Sequence, residues 1–97
     1  TAIIGYMAGL ALSLADKGIR ANTVSPGNTY FPGGVWRSIE DGNPELFSFA
    51  MGLNPTGRFG TAQEIADGVV FVSSPVASRI SGANLLIDGA LTRGIQF

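Results

Sequence analysis

The fold of this chain is constrained most by two short apolar segments, each of which ends in a tight corner. The first, residues 19–25, stops at Pro26-Gly27, and the second, residues 85–87, stops at Asp88-Gly89. Proline cannot donate to a β ladder and glycine permits a sharp turn, so both segments are predicted to be strands. Two such strands, when parallel, are joined by a right-handed crossover that contains a helix.

Helical signals lie before and between the predicted strands. Residues 1–17 carry apolar side chains at helical spacing, and Gly18 is expected to end this helix in the left-handed conformation. A second helix is predicted to begin at the capping box formed by Thr61 and Glu64 and to stop before Pro75. The predicted order is helix, strand, long loop, helix and strand, which is an α/β arrangement.

The long loop, residues 28–57, is rich in glycine and proline and is predicted to be largely irregular. Asn43 and Pro44 indicate one helix start inside it, with the helix continuing to about Met51. The loop follows the C-terminal end of the first strand, which is the edge where ligands bind in open α/β sheets. A loop of this length inside a compact domain usually has a function, so we expect it to cover a ligand.

The charge and residue types exclude several classes of protein. The chain has 6 Lys and Arg against 7 Asp and Glu, with no His and no Cys. The absence of a basic run argues against nucleic acid as the main partner, and the usual zinc ligands are missing, so no metal site is predicted. The apolar run at residues 2–12 is shorter than the ~20 residues that span a bilayer, and no secretory signal is recognisable. We therefore expect a soluble, cytoplasmic protein.

The chain is too apolar for a small domain to bury most of its hydrophobic surface by itself. The 97 residues allow one small domain at most, yet 45% of them are hydrophobic and 13% are charged. A domain of this size buries only about 60–65% of its unfolded surface, so we expect apolar surface to contact further chain or other subunits. The start at Thr1 also indicates a piece of a larger protein; the alternative is a small obligate oligomer. Gly5 and Gly9 predict close approach of another backbone to the first helix.

Three segments of the chain resemble the short-chain dehydrogenase/reductase family. Residues 14–27 (LADKGIRANTVSPG) resemble the stretch in which a helix runs into the sixth strand. Residues 54–66 (NPTGRFGTAQEIA) resemble the P-x-G-R-x-G-x-x-x-E-I-A segment, and residues 80–90 (ISGANLLIDGA) resemble the closing I-T-G-x-x-L-x-V-D-G-G. The resemblance implies that residues 1–97 are the C-terminal portion of a single Rossmann-like, doubly wound parallel sheet, with residues 28–57 as a substrate-covering loop.

The same resemblance implies an oxidoreductase that transfers a hydride between a nicotinamide cofactor, NAD or NADP, and an alcohol or ketone substrate. In this family a glycine-rich phosphate loop, a catalytic serine and a Tyr-x-x-x-Lys pair precede the helix that starts at residue 1. Tyr6 is not that tyrosine, because its fourth following residue is Leu10, and we expect Tyr6 to pack. No catalytic residue is therefore assigned within the chain, and the chain alone is expected to be inactive.

The resemblance places the nicotinamide contact just after the Pro-Gly turn, where backbone groups hold the carboxamide and fix the ring face. The matching positions are Pro26, Gly27, Asn28 and Thr29. Beyond them, an apolar or ring-bearing substrate is expected to contact Tyr30, Phe31 and Trp36. The alternative is that these side chains fill the space beneath the loop.

The chain departs from the family pattern after the turn. The common P-G-x-Ile-x-Thr reads PGNTYF at residues 26–31, so Phe31 stands where a hydroxyl often helps to hold the cofactor. Phenylalanine cannot form that hydrogen bond, which favours one alternative: a catalytically silent member of the fold that serves as an assembly or binding module. A second alternative is an unrelated Rossmann-like nucleotide binder whose two strands are not paired as expected.

The remaining charged residues are assigned to structure and assembly. Glu64 is expected to complete the helix cap and Arg58 to brace the loop against backbone, rather than to act in catalysis. Asp88 and Arg93 are assigned to the strand terminus and a subunit contact. The resemblance implies that the last strand and the helix before it pack across the interface of a homo-oligomer, either a dimer or a tetramer, and the apolar tail, residues 94–97, fits that use.

Overall fold

The structure is a computed structural model and describes residues 1–94. It is an α/β arrangement, which confirms the predicted fold class. Two single 3₁₀ turns, Ala15–Lys17 and Pro75–Ala77, follow the first and last helices. The helices and strands are α1 (Ala2–Leu14), β1 (Thr23–Pro26), β2 (Thr29–Tyr30), α2 (Val35–Gly42), α3 (Pro44–Leu53), β3 (Gly60–Thr61), α4 (Ala62–Ser73) and β4 (Asn84–Ile87).

The chain forms two compact units. Of the described residues, the first unit contains 1–25 and 66–86, and the second contains 26–65 and 87–94. Strands β1 and β4 are hydrogen-bonded neighbours. The Thr23 N–H donates to Ala83 O (2.9 Å), and further along the Gly27 N–H donates to Ile87 O (2.8 Å). Because the partners advance in the same direction on both strands, the pairing is parallel, as predicted.

Helix α1 ends at Leu14 and runs into the 3₁₀ turn Ala15–Lys17, which ends at Gly18. Gly18 adopts a left-handed conformation (φ 70°), and its N–H donates to Ala15 O. The side-chain packing predicted for α1 is not seen within residues 1–94. A Cβ added at Gly5 or Gly9 would meet nothing within 4 Å, and Tyr6 is 69% exposed. Among the described residues, therefore, the close packing expected at Gly5, Gly9 and Tyr6 does not occur.

The first strand begins at Thr23, later than predicted, and the residues before it bind the segment that leads into β4. The guanidinium of Arg20 donates to Val72 O (2.8 Å), to Ile80 O (2.9 Å) and to Ser74 O (3.3 Å). The carbonyls at a helix C-terminus have no partner within the helix, and a cation there is favourable. Arg20 therefore joins the end of α4 to the segment that leads into β4.

The core of the second unit is a cluster of aromatic rings beneath α2 and α3. Phe47, Ala50 and Phe59 are buried. The Phe59 ring lies 5.1 Å from Phe47, nearly perpendicular to it, and 4.9 Å from Trp36. The short strands β2 and β3 pair in parallel beside this cluster, with Thr29 opposite Gly60.

The helix predicted from Asn43 and Pro44 is confirmed as α3. Asn43 is its N-cap and accepts a hydrogen bond from the Leu46 N–H (3.3 Å). Helix α2, in contrast, was not predicted, because the glycines around it favoured an irregular loop. Arg37 stabilises this helix by pairing with Asp41 one turn later (2.7 Å), and Trp36 and Ile39 pack on the aromatic cluster.

Replacing Arg20 by Met is expected to lower the free energy of unfolding by roughly 1.5–3 kcal/mol, since backbone carbonyls at the end of α4 lose a charged donor. Chemical denaturation of the protein that carries this chain would measure the change. The matched control is Arg79→Met, because Arg79 is exposed and a surface change is expected to stay within about 0.5 kcal/mol. Equal effects of the two substitutions would contradict the role given to Arg20.

Candidate functional site

The turn after β1 lies against the residue that follows β4. A Cβ built on Gly27 would come within 2.5 Å of Asp88 Cβ and 2.8 Å of Asp88 Cα, a separation that real side chains do not tolerate. The Gly27 N–H donates to Ile87 O (2.8 Å), and this hydrogen bond holds the two segments at this distance. Glycine is therefore required at position 27 by the approach of Asp88.

The residues predicted to hold the cofactor lie together at this turn but face two cavities. Pro26 and Thr29 line an apolar cavity of about 290 Å³ whose other walls are Phe31, Ala62 and Ile65. Asn28 lines a separate, more polar cavity of about 130 Å³ with Asn54, Thr56 and Asp88. The Thr29 hydroxyl donates to Gly27 O (3.0 Å), and Asn28 O accepts from the Gly60 N–H (3.0 Å). The turn is thus held from within and from β3.

The three residues predicted to contact substrate are not brought together. Phe31 lies at the apolar cavity and is 44% exposed. Tyr30 and Trp36 instead pack on the aromatic cluster, where the Tyr30 O–H donates to Glu40 Oε1 (2.7 Å). Tyr30 also lines a cavity of about 420 Å³ beside Phe47, Met51 and Phe59. The assignment of these residues to a substrate remains a prediction, and Phe31 is the one beside the turn.

Asn54 is a residue of this site that the sequence analysis did not single out. It is only 7% exposed, and it follows directly after α3. Its Nδ2 donates to Asp88 O (2.9 Å), while its Oδ1 accepts from the Thr56 N–H (2.9 Å) and from the Thr56 hydroxyl (2.6 Å). The signal for it was the Asn-Pro-Thr-Gly sequence, because an Asn side chain often bonds the backbone two residues later in a turn.

The charged pair beside the site has a structural role. Arg58 donates two hydrogen bonds to the Glu64 carboxylate, at 2.8 and 2.9 Å, and one to Phe59 O (2.9 Å). Glu64 Oε1 also accepts from the Thr61 N–H (2.9 Å), and the Thr61 hydroxyl accepts from the Glu64 N–H (3.1 Å), so the predicted capping box is confirmed. Hydrogen bonds from Arg58 and then from the Thr61 backbone lower the pKa of Glu64 to about 2. Glu64 is therefore ionised at neutral pH.

The pKa values of Asp88 and Tyr30 are also shifted away from neutral pH. Hydrogen bonds from Thr92, and then from the Ala90 backbone, lower the pKa of Asp88 below its ordinary range. The hydrogen bond to Glu40 raises the pKa of Tyr30, so its hydroxyl stays protonated. These groups suit binding and orientation better than proton transfer, which requires a pKa near the working pH.

The chain after β4, possible metal ligands and the length of the helices bear on assembly, metal binding and membranes. Arg93 is exposed, and residues 95–97 of the predicted interface tail lie outside the described residues. Within residues 1–94, no three His, Cys, Asp or Glu side chains converge as metal ligands would. In the same part of the chain, no helix has the length and apolar character required to cross a bilayer.

Comparison with known proteins identifies relatives along almost the whole chain. A family model described as Enoyl-(Acyl carrier protein) reductase matches residues 1–92. The chain is 42% identical over 84 residues to isoepoxydon dehydrogenase patN of Penicillium expansum, which covers 87% of this chain and 32% of that protein. It is 40% identical over 91 residues to short-chain dehydrogenase virB of Hypocrea virens, and this match covers 94% of this chain and 36% of that protein. The chain thus spans about a third of the length of these relatives.

Solved structures give the same result for the fold. An oxidoreductase of the short-chain dehydrogenase/reductase family from Burkholderia thailandensis is similar with a TM-score of 0.85 and 34% identity, over 96% of this chain and 36% of that chain. YwfH, an NADPH dependent reductase involved in bacilysin biosynthesis, has a TM-score of 0.85 and 25% identity, over 97% of this chain and 38% of that chain.

Substituting Gly27 by Ala is expected to lower the free energy of unfolding by about 1–3 kcal/mol, because the added methyl group overlaps Asp88. The matched control is Gly52→Ala in α3, where an added Cβ meets nothing within 4 Å. The control is expected to stabilise the helix by roughly 0.5–1 kcal/mol. Chemical denaturation measures both changes. A stabilising effect of Gly27→Ala would show that Asp88 does not lie close enough to Gly27 to exclude a side chain.

The lowered pKa of Glu64 predicts a pH dependence of stability. A carboxylate with a depressed folded-state pKa contributes stability above its unfolded value and loses it as pH falls through the folded value. For Glu64 this window lies between 4.5 and about 2. The Glu64→Gln variant is therefore expected to show a flatter decline of unfolding free energy across this window than the wild type, and Arg58→Met is expected to flatten it as well. Identical pH profiles for all three proteins would refute the prediction.

Proposed function

This chain belongs to the short-chain dehydrogenase/reductase family, and from that premise we propose that the protein carrying it transfers a hydride between NAD or NADP and an alcohol or ketone. The observation that supports this most is the turn after β1, where Pro26 and Thr29 border an apolar cavity at the C-terminal edge of parallel strands. Ligands of open α/β sheets bind at that edge. Two relatives are named dehydrogenases, and one structural neighbour is an NADPH dependent reductase.

The residues at the turn fit one part of a nicotinamide cofactor. The cavity of about 290 Å³ lies at the small end of ligand pockets, which are roughly 300–1,000 Å³, so it suits a single ring better than a whole dinucleotide. Its lining by Phe31, Ala62 and Ile65 suits an aromatic face. The nicotinamide ring, when bound, donates or accepts the hydride. Residues 26–29 then fix the position and orientation of that ring.

The 28–57 segment is proposed to cover the substrate, and we call it the lid. Phe31 lies at the same cavity as Pro26 and Thr29, so it is the lid residue placed to contact a substrate beside the ring. Tyr30 and Trp36 support the lid through their contacts with Phe47 and Phe59. An apolar cover of this kind suits a ketone or alcohol attached to a ring or chain.

Proton transfer is proposed to come from residues outside this sequence. The chain contains no Tyr-x-x-x-Lys pair and no G-x-G-x-x-G phosphate loop. The chain alone is therefore proposed to be inactive, and the complete enzyme to be a soluble, cytoplasmic homo-oligomer. Exposed apolar side chains on α1 support the proposed assembly, since Ile3 and Leu12 are 72% and 82% exposed.

The activity test uses the natural protein that carries this chain, with NADH and NADPH and a panel of ketones that includes cyclohexanone and 2-cyclohexenone. We expect cofactor oxidation that depends on at least one ketone, and none from the isolated 97-residue chain. The readout is the loss of nicotinamide absorbance. Failure of the natural protein to bind either cofactor would overturn the proposal and favour the silent binding module. A cofactor-dependent rate from the isolated chain would contradict the assignment of catalysis outside it.

The proposed ring site is tested separately by filling its cavity. Ala62→Trp places a large side chain there, and we expect the Kd for NADH or NADPH to rise by at least about tenfold. Fluorescence titration of the reduced cofactor measures the change. Ala62→Ser is the matched control, because it adds one atom at the same position and leaves the cavity open. Unchanged affinity in the tryptophan variant would rule out a cofactor ring in this cavity.

A further inference from the structure

The end of the lid is attached to the end of β4 by one buried side chain. Asn54 stands one residue after α3, and its Nδ2 donates to Asp88 O at 2.9 Å. Asp88 stands one residue after β4. Asn54 is 7% exposed, and a buried amide must keep its hydrogen bonds because water cannot replace them. The lid therefore cannot shift at this point without leaving polar atoms unpaired.

The same backbone segment also faces the cofactor turn. Asp88 is the residue that excludes a side chain at Gly27, with its Cα 2.8 Å from the position of an added Cβ. One face of Asp88 thus contacts the turn at residues 26–29, and its carbonyl oxygen binds the lid. Asp88 therefore contacts both the turn and the end of the lid.

The Oδ1 atom of Asn54 is held by hydrogen bonds in the same way as its Nδ2 atom. Its Oδ1 accepts from both the N–H and the hydroxyl of Thr56. Gly89 approaches the same group, since a Cβ added there would lie 3.1 Å from both Asn54 Oδ1 and Thr56 Cγ2. Because both ends of the amide are bonded and its surroundings are crowded, Asn54 holds one orientation.

We propose that Asn54 is a positioning residue, which fixes the C-terminal end of the lid against Asp88 and so sets where α3 stands relative to the cofactor turn. The catalytic part of this proposal rests on the proposed function. The structural part does not, because the hydrogen bonds join described residues of one unit. Asn54 acts through Asp88 and the lid, without contacting a reacting atom.

The chain supplies a matched control in the other unit. Asn22 also donates from Nδ2 to a backbone oxygen, Ile80 O at 2.9 Å, and its Oδ1 accepts from the Ala83 N–H at 3.0 Å. It makes the same kind of bridge between distant segments, but it binds no part of the lid. Substitution of either asparagine is expected to lower the stability of the protein, whereas only substitution of Asn54 is expected to loosen the lid.

The experiment compares Asn54→Asp with Asn22→Asp in the natural protein. Each substitution removes the amide donor and keeps an acceptor of the same shape. Hydrogen exchange is followed at the α3 amides, and we expect them to exchange at least about tenfold faster in Asn54→Asp and at the wild-type rate in Asn22→Asp. Thr56→Val is the milder variant, because it removes one donor to Asn54 Oδ1, and it is expected to change α3 exchange in the same direction by less.

The kinetic measurement uses the ketone from the panel that the wild type reduces fastest. For Asn54→Asp we expect its KM to rise about tenfold with kcat within about twofold, since the lid is displaced but the reacting groups are not. Asn22→Asp is expected to leave KM and kcat unchanged, even if it lowers the melting temperature as much as Asn54→Asp does.

The outcomes separate this proposal from the proposed function. Equal α3 exchange in the two asparagine variants would overturn the role of Asn54, and so would faster α3 exchange with an unchanged KM. If the wild type reduces no ketone but α3 is loosened selectively, the anchoring of the lid is supported while the proposed function falls. Selective loosening together with the rise in KM supports both.

Discussion

The close approach of Gly27 to Asp88 is the contact on which the second unit depends. Parallel pairing of β1 and β4 brings the ends of both strands to the same edge, and the missing side chain at position 27 lets the backbones meet. Asp88 then offers its carbonyl oxygen to Asn54 and its carboxylate to the N–H groups of Ala90 and Thr92. One residue therefore organises the turn, the end of the lid and the chain after β4.

The elements that follow local rules could be predicted from the sequence. Gly18 ends the 3₁₀ turn that follows α1, Asn43 caps α3, and Thr61 and Glu64 form the reciprocal cap of α4, because each signal depends on residues within one helical turn. The parallel strand pair also followed, since two short apolar segments around a crossover helix leave few topologies. The turn itself also followed from Pro26 and Gly27, and the family resemblance supplied only the expected cofactor contact there.

The features that depend on distant partners could not be predicted. Helix α2 lies among glycines that favour a loop, and it is stabilised by packing of Trp36 and Ile39 on a cluster whose members come from other elements. Tyr30 and Phe31 are adjacent in sequence but lie at different cavities, which is a property of strand β2 and not of composition. Asn54 gave a turn signal, but its bond to Asp88 joins residues 34 positions apart.

The long sequence separation of the strand contacts has a consequence for the order of folding. Arg20 binds Ile80 O across 60 positions, and β1 meets β4 over a similar span. Such contacts form slowly because a large loop must close first, whereas helices form from neighbouring residues. During synthesis on the ribosome, the residues of α2 and α3 are translated before those of β4. The contacts of Gly27 with Ile87 and Asp88 require that strand, so they can form only after its residues have been added.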